Sequence, residues 1–374
     1  MGTTADKLQY LIDAKNSISA AIELKGGTVP HELSGYGPAI AALDGLTNYT
    51  RVKYANTAPL NGLSAIYQIN GALNASNFSV PLSAVEVFCN DTVTEIPDTF
   101  FVSNRNLTHF ESSGLTTLGT GSFGSCSNLS AVVLPNTLTS VGTGCFGNCT
   151  GLKSINIPNS LTAISDYMLN SCSGLTSITI PEGVKSIGTG SFYSCTGLGS
   201  IVFPNTLSVI RQQAFQGCSG LSATLVIPDS VKTIEASAFR YCTHLTDVVV
   251  GNGVTNIYGY AFSDSTKLSS ITFGNSLSSF SAGIFSNCTG LSSIAFPDSL
   301  TVFGGSSGGI FKYCSNLTMI DFGYTRTTVP TMAATTNFAN IPANYKIYVP
   351  SALLNDWKAA ANWSDVASHI YAHP

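Results

Sequence analysis

One segment recurs along most of this chain. "FGNCTGLKSINIPNSLTAI" (146–164) returns as "LNSCSGLTSITIPEGVKSI" (169–187) and then as "FYSCTGLGSIVFPNTLSVI" (192–210). Each copy is indexed on a Phe-x-x-Cys frame whose Phe position is filled by Phe123, Phe146, Leu169, Phe192, Phe215, Phe239, Phe262, Phe285 and Phe311. The period is about 23 residues, within the range of short-repeat solenoids. Phe239 arrives one position late and Phe311 three positions late. A Leu always stands six residues past the Phe position, from Leu129 to Leu317. An alternating stretch such as "SINIP", "SITIP" or "SIAFP" follows, and then L-x-x-I or V-x-x-I. A weaker leading unit starts at Phe101 and Leu107.

A fixed period this short leaves few folds open. The alternation in "SINIP" is the pattern of a strand with one buried face. It predicts Ile155, Ile157, Ile178 and Ile180 inside. Pro158 and its equivalents end the strand because proline has no N–H for a ladder, and Asn159, Asn205, Asp229 or Asn275 then favours a turn. No unit of this size buries its apolar face alone, but stacked units place identical columns over one another and share a continuous core. The chain therefore reads as an α/β repeat solenoid with short parallel strands, in which Phe215 stacks between Phe192 and Phe239.

These residues resemble the BspA-like leucine-rich repeats, whose frame is F-x-x-C-x-x-L-x-x-I-x-I-P, over residues 83–330. The resemblance implies a surface or secreted protein that binds host matrix proteins or other cells, and thus adhesion. "YKIYVPSALLNDWKAAANWSDVASHI" (345–370), which holds both tryptophans, resembles the C-terminal caps of the same proteins. A cap is needed because an open solenoid end exposes core columns and strand edges.

Four segments follow: a helical attachment segment at 1–46, a β-rich connector or N-terminal cap at 47–82, the solenoid at 83–330 and a strand–helix C-terminal cap at 331–374. Leu8, Leu11, Ile18 and Ile22 share one helical face, with Thr3 as N-cap and Gly26-Gly27 as the stop. The stretch 7–43 also resembles the short N-terminal segment of phage and prophage tail-associated proteins. That likeness implies a tail-borne receptor-binding protein as the alternative to an adhesin. The N-terminus lacks the basic start and unbroken apolar core of a secretory signal, so either another export route or a trimmed signal is expected.

Only 10% of the residues are charged, against about 25% in an ordinary domain, and Ser, Thr, Asn and Gly take their place. The net charge of −4 argues against a nucleic-acid partner. The sequence has no run of about 20 apolar residues, so membrane insertion is not expected.

Eight of the ten cysteines stand in one column, with Ser265 replacing a ninth. A column parallel to the solenoid axis does not converge on a metal, and stacked side chains point alike rather than at each other. The cysteines therefore read as small buried hydrophobes, as do Cys145 and Cys89. No catalytic constellation emerges, and neither a metal nor a cofactor is called for. His31, His109, His244, His369 and His373 are scattered. Asp166 and Glu182 sit at loop positions as solvated carboxylates, and the "GTGSF" segments recur as turns. The chain is expected to be a non-enzymatic binder.

Two candidate surfaces remain for a protein or glycan partner. Outward strand positions Val202, Val226 and Val249 form an apolar stripe flanked by threonines. On the loop side stand Tyr193, Arg211, Arg240, Tyr241, Tyr258 and Tyr260, of the residue types enriched at binding hot spots. Arg211 and Glu235 share a column in adjacent units, which predicts a pair across one turn.

Overall fold

The computed structural model describes residues 50–54, 64–67, 84–89, 91, 93–222, 224–305 and 309–374. The attachment segment expected at 1–46 lies outside them. The chain divides into two compact units, 1–160 and 161–374, and both follow the same plan.

In the first unit, strands Ala84–Cys89, His109–Ser112, Ala131–Val133 and Ser154–Ile155 form a parallel ladder. Thr50–Tyr54 joins the Ala84–Cys89 edge antiparallel and pairs in turn with Ser64–Tyr67. A second, shorter ladder joins Glu95–Ile96, Thr117–Leu118 and Ser140–Val141. Each turn of the solenoid thus contributes two strands, one from the "SINIP" stretch and one from the L-x-x-I stretch.

The second unit repeats this arrangement. Eight two-residue strands, from Ala163–Ile164 to Thr331–Met332, make one parallel sheet. The "SINIP"-type strands form three groups: Ser177–Thr179 with Ser200–Val202; Leu225–Ile227, Asp247–Val250 and Ser270–Thr272; and Ser293–Ala295, Met319–Asp321, Lys346–Val349 and Ile370–Ala372. The first break coincides with the lengthened unit between Phe215 and Phe239. Leu221 and Leu225 are four apart where Leu198 and Ile201 are three apart, so the extra residue falls just before the strand. The insertion that lengthens the later unit falls between Phe303 and Phe311, a stretch that includes positions 306–308 outside the described residues.

The predicted inward residues are inside: Ile155, Ile157, Ile178 and Ile180 are all buried. The Phe column is a stack of rings. In the second unit, centroids from Phe192 to Phe215, Phe239 and Phe262 are 5.0, 5.2 and 5.5 Å apart and within 5° of parallel. That spacing follows from the roughly 4.8 Å separation of hydrogen-bonded strands. Among the described residues α-helix is confined to Leu354–Ala359 near the C-terminus. There Trp357 and Trp363 are buried against each other and Phe322, and the Trp363 indole donates to the Pro330 carbonyl at 2.7 Å. No described helix is long and apolar enough to cross a membrane.

Between the two strands of a turn, the chain rounds a corner through two residues of left-handed conformation. One precedes the Phe position by two and the other follows it by two. Gly190, Gln213, Ser237, Tyr260 and Gly283 belong to the first column, and Ser194, Gly217, Tyr241, Asp264 and Asn287 to the second. Their N–H groups donate to the next turn, as from Tyr260 to the Ala282 carbonyl at 3.0 Å and from Tyr241 to the Ser263 carbonyl at 3.0 Å. The corners are thus stitched along the axis as the strands are.

Candidate functional site

The cysteine column explains itself at atomic distance. The thiol of Cys195 donates to the Leu169 carbonyl at 3.1 Å, and Cys218 and Cys242 donate to the Phe192 and Phe215 carbonyls at 3.1 and 3.4 Å. Each thiol meets the preceding turn's Phe-position carbonyl, not another sulfur. Ser265 makes the same bond to the Phe239 carbonyl at 3.3 Å, which is why serine can stand there. All ten cysteines are buried thiols outside any disulfide. Burial pushes the Cys126, Cys145 and Cys314 thiols up to about 12, so the reactive thiolate is suppressed. No group of three or more metal-ligating side chains occurs among the described residues.

Asp166 and Glu182 prove to be staples between turns. Asp166 accepts the Thr189 N–H at 2.7 Å, and Glu182 accepts the Asn205 N–H at 3.1 Å. Glu235 acts similarly, accepting the Gln212 N–H at 2.9 Å. The expected Arg211–Glu235 pair is therefore corrected. The register is right, because Arg211 and Glu235 make equivalent backbone bonds to Ile187 and Ile210. The carboxylate, however, turns to a nearby backbone donor that needs a partner, and Arg211 stays exposed.

The valine stripe is solvent-facing, with Val202, Val226 and Val249 exposed. Val226 and Val249 are ladder partners, and Val249 pairs onward with Thr272. Val202 pairs with Thr179 in a separate sheet. The extra residue before Leu225 divides the stripe.

The loop-side residues are partly gathered. The Arg240 guanidinium lies 4.6 Å from the Tyr241 ring centroid and 5.4 Å from that of Tyr260. Its Nε donates to Asp264 at 2.9 Å. Asp264 also accepts from the Ser263 hydroxyl at 2.8 Å and from the Asn287 amide at 3.0 Å. Burial raises the Asp264 carboxyl pKa, but hydrogen bonds from Asn287, Ser263 and Arg240 outweigh it and hold the group below its ordinary value. The result is an ionised, multiply anchored carboxylate that fixes an arginine between two half-exposed rings. Tyr193 stands in the column of Arg240 two turns earlier, and Tyr258 in that of Arg211 two turns later; neither belongs to the cluster.

Sequence reasoning missed Asp264, Ser263 and Asn287. The signal was present, since Asp264 is the one carboxylate in a left-handed column of Ser, Gly, Asn and Tyr, but only its three bonds reveal an anchor. Tyr167, at φ 55°, and Tyr313, at φ 68°, were also missed, and like Tyr241 and Tyr260 they sit in the left-handed region. That conformation costs a residue with a Cβ about 1–2 kcal/mol. Two of the rings have company in the next turn. A Cβ on Gly190 would come within 2.4 Å of the Tyr167 ring, and one on Gly283 within 2.4 Å of the Tyr260 ring. With positive φ as well, those positions require glycine.

The BspA type leucine rich repeat region matches residues 94–222 and 221–341. It begins beyond the N-terminal segment, so it lends no support to that segment's likeness to phage tail proteins. No curated protein matches in sequence. Among solved structures, a leucine-rich repeat protein from Bacteroides ovatus is similar at 20% identity and TM-score 0.52, over 83% of this chain and 89% of that one. The pneumococcal vaccine antigen PcpA is similar at 18% identity and TM-score 0.50, over 83% and 86%. A leucine rich cell surface protein from Faecalibacterium prausnitzii aligns at 22% identity and TM-score 0.38, over 78% and 95%.

Proposed function

This chain belongs to the BspA type leucine rich repeat family, and from that premise we propose that it is a non-enzymatic recognition protein of the bacterial surface or its secretions. It binds a protein on another cell or in a host matrix through the corner face of its second unit. The observation that carries this reading is the fixed Arg240. Arginine and tyrosine dominate binding hot spots, and a side chain ordered before contact loses little entropy on binding. Asp264 and the two rings supply that order. Tyr, Ser, Gly and Asn recur in the surrounding corner, residue types shared with antibody paratopes. Adhesion is the role that accords with the family resemblance.

The test is a display of purified proteins and glycans probed with the whole chain, followed by the double change Arg240→Ala and Tyr241→Ala. A hot spot predicts at least a 30-fold loss of affinity for the captured protein, about 2 kcal/mol, with little change in melting temperature. Undiminished binding by the double variant would move the site elsewhere on the solenoid.

A further inference from the structure

The last turns of the second unit surround a cavity that the Arg240 cluster does not use. Its volume is about 560 Å³, and Tyr324, Arg326, Pro350, Ser351, His373 and Pro374 line it. That is the size of a small-molecule site. Tyr324 is 75% exposed, the most open of the large apolar side chains among the described residues. Its ring meets the His373 ring at 5.6 Å and 65°, and the Tyr348 ring lies 6.1 Å from the same imidazole.

The polar walls are fixed from within the chain. The His373 backbone N–H donates to the Val349 carbonyl at 2.8 Å. Its Nε2 lies 3.3 Å from an Asp321 carboxylate oxygen, and its Nδ1 lies 3.3 Å from the Pro374 oxygen. Arg326 is only 4% exposed and donates to the Leu300 and Pro297 carbonyls, both at 2.7 Å. Those bonds use two of its five N–H donors. Burial lowers its pKa, and the charge of Asp298 opposes that shift.

Charge does not select the occupant. Arg326 has Asp298 for company and His373 has Asp321, so no surplus of positive charge draws an anion. No carboxylate side chain lines the cavity to draw a cation. What remains is an exposed aromatic ring and two prolines, edged by the Tyr324 and Ser351 hydroxyls and the guanidinium. Tyrosine pairs an apolar body with a polar tip. A pyranose ring has the matching form, with C–H groups on its faces and hydroxyls around its rim.

We propose that this cavity binds a neutral saccharide, one pyranose ring lying against Tyr324 with its hydroxyls met by Ser351 and Arg326. It is a second site, three turns past Arg240 along the solenoid, and does not depend on protein recognition there.

The whole chain is titrated with methyl glycosides of glucose, galactose, mannose and N-acetylglucosamine. Glucuronate and N-acetylleucine amide serve as probes of other chemistries, and imidazole NMR is the readout. At least one neutral glycoside should shift the His373 ring resonances at millimolar concentration and leave those of His244 in place. Tyr324→Ala should weaken that binding by about 10-fold, near the worth of one well-formed ring contact, while Tyr324→Phe should retain it. Neither change should move the melting temperature, because the ring is exposed. A tetrasaccharide of the same sugar that binds more tightly identifies a glycan chain as the source of the ring, and equal affinity identifies a free sugar; both support the site. Absence of any shift with the neutral glycosides overturns the proposal. So do shifts at His244 alone, binding of only glucuronate or the amide, and unchanged affinity in Tyr324→Ala. A melting temperature lowered by Tyr324→Ala assigns the ring to packing and overturns it as well.

Discussion

Replacing Phe215 with Ala should sever the ring stack of the second unit. Phe215 is fully buried, 5.0 Å from Phe192 and 5.2 Å from Phe239 with nearly parallel planes, and Phe203 meets it edge-on at 5.7 Å. Removing the phenyl group loses about 2 kcal/mol of transfer free energy. It also opens a cavity on the order of 100 Å³, which at about 24 cal/mol per Å³ adds roughly 2.4 kcal/mol. The rungs on either side are held at strand spacing by the eight-stranded sheet and by corner bonds such as that from the Phe215 N–H to the Ala238 carbonyl, and cannot collapse into the gap. The total of about 4 kcal/mol lies within the usual range for Phe→Ala in a packed core. Urea denaturation followed by circular dichroism should show a midpoint lower by about 1–2 M, taking an m-value of about 2–3 kcal/mol/M. The two tryptophans of the chain, Trp357 and Trp363, are both buried near the C-terminus. Because repeats couple mainly to their neighbours, their fluorescence should report a later transition than the backbone signal. A midpoint within about 0.3 M of wild type would refute the packing argument, and coincident transitions would refute the neighbour-only coupling.

The thiols offer a pH test. Folding raises the Cys126 and Cys314 pKa from about 9 to about 12 by burial, so their stabilising contribution is complete below pH 9 and is lost as pH rises toward 12. Melting temperature should fall across that window, and less steeply when both residues are Ser; identical slopes would disprove the linkage. Thiol titration should find few reactive groups in the folded chain and ten after unfolding, whereas several disulfides in a non-reducing mass spectrum would contradict the column geometry. Cys218→Ser keeps the bond to the Phe192 carbonyl and should cost about 1 kcal/mol or less. Cys218→Val loses that bond and adds bulk, and should cost about 1–3 kcal/mol in the same urea assay. Asp264 should titrate below its ordinary range by NMR, so its contribution is present at neutral pH and disappears only as pH falls below about 4; a normal midpoint would mean that its three hydrogen bonds do not hold in solution.

The columns were legible from the sequence because a short-period solenoid is nearly one-dimensional. Whatever recurs once per repeat must face its own copy in the next turn. The Phe stack, the inward isoleucines, the outward valines and the register of Arg211 over Glu235 all follow from counting. The L-x-x-I stretch was visible as a recurrence but not as a strand, since two residues per turn are too few to show alternation. Only the eight-stranded sheet reveals it. Tertiary structure also decided what each polar side chain does once placed. Glu235 bonds the Gln212 N–H rather than Arg211, column cysteines such as Cys195 and Cys218 donate to a carbonyl, and Asp264 gathers Ser263, Asn287 and Arg240. Column membership fixes which residues are near, whereas hydrogen-bond choice depends on where backbone donors point and which of them still need a partner. The strained tyrosines make the same distinction. Their recurrence among Ser, Gly and Asn could be read off the letters, but the left-handed backbone that makes it costly is set where the corner closes upon the next turn.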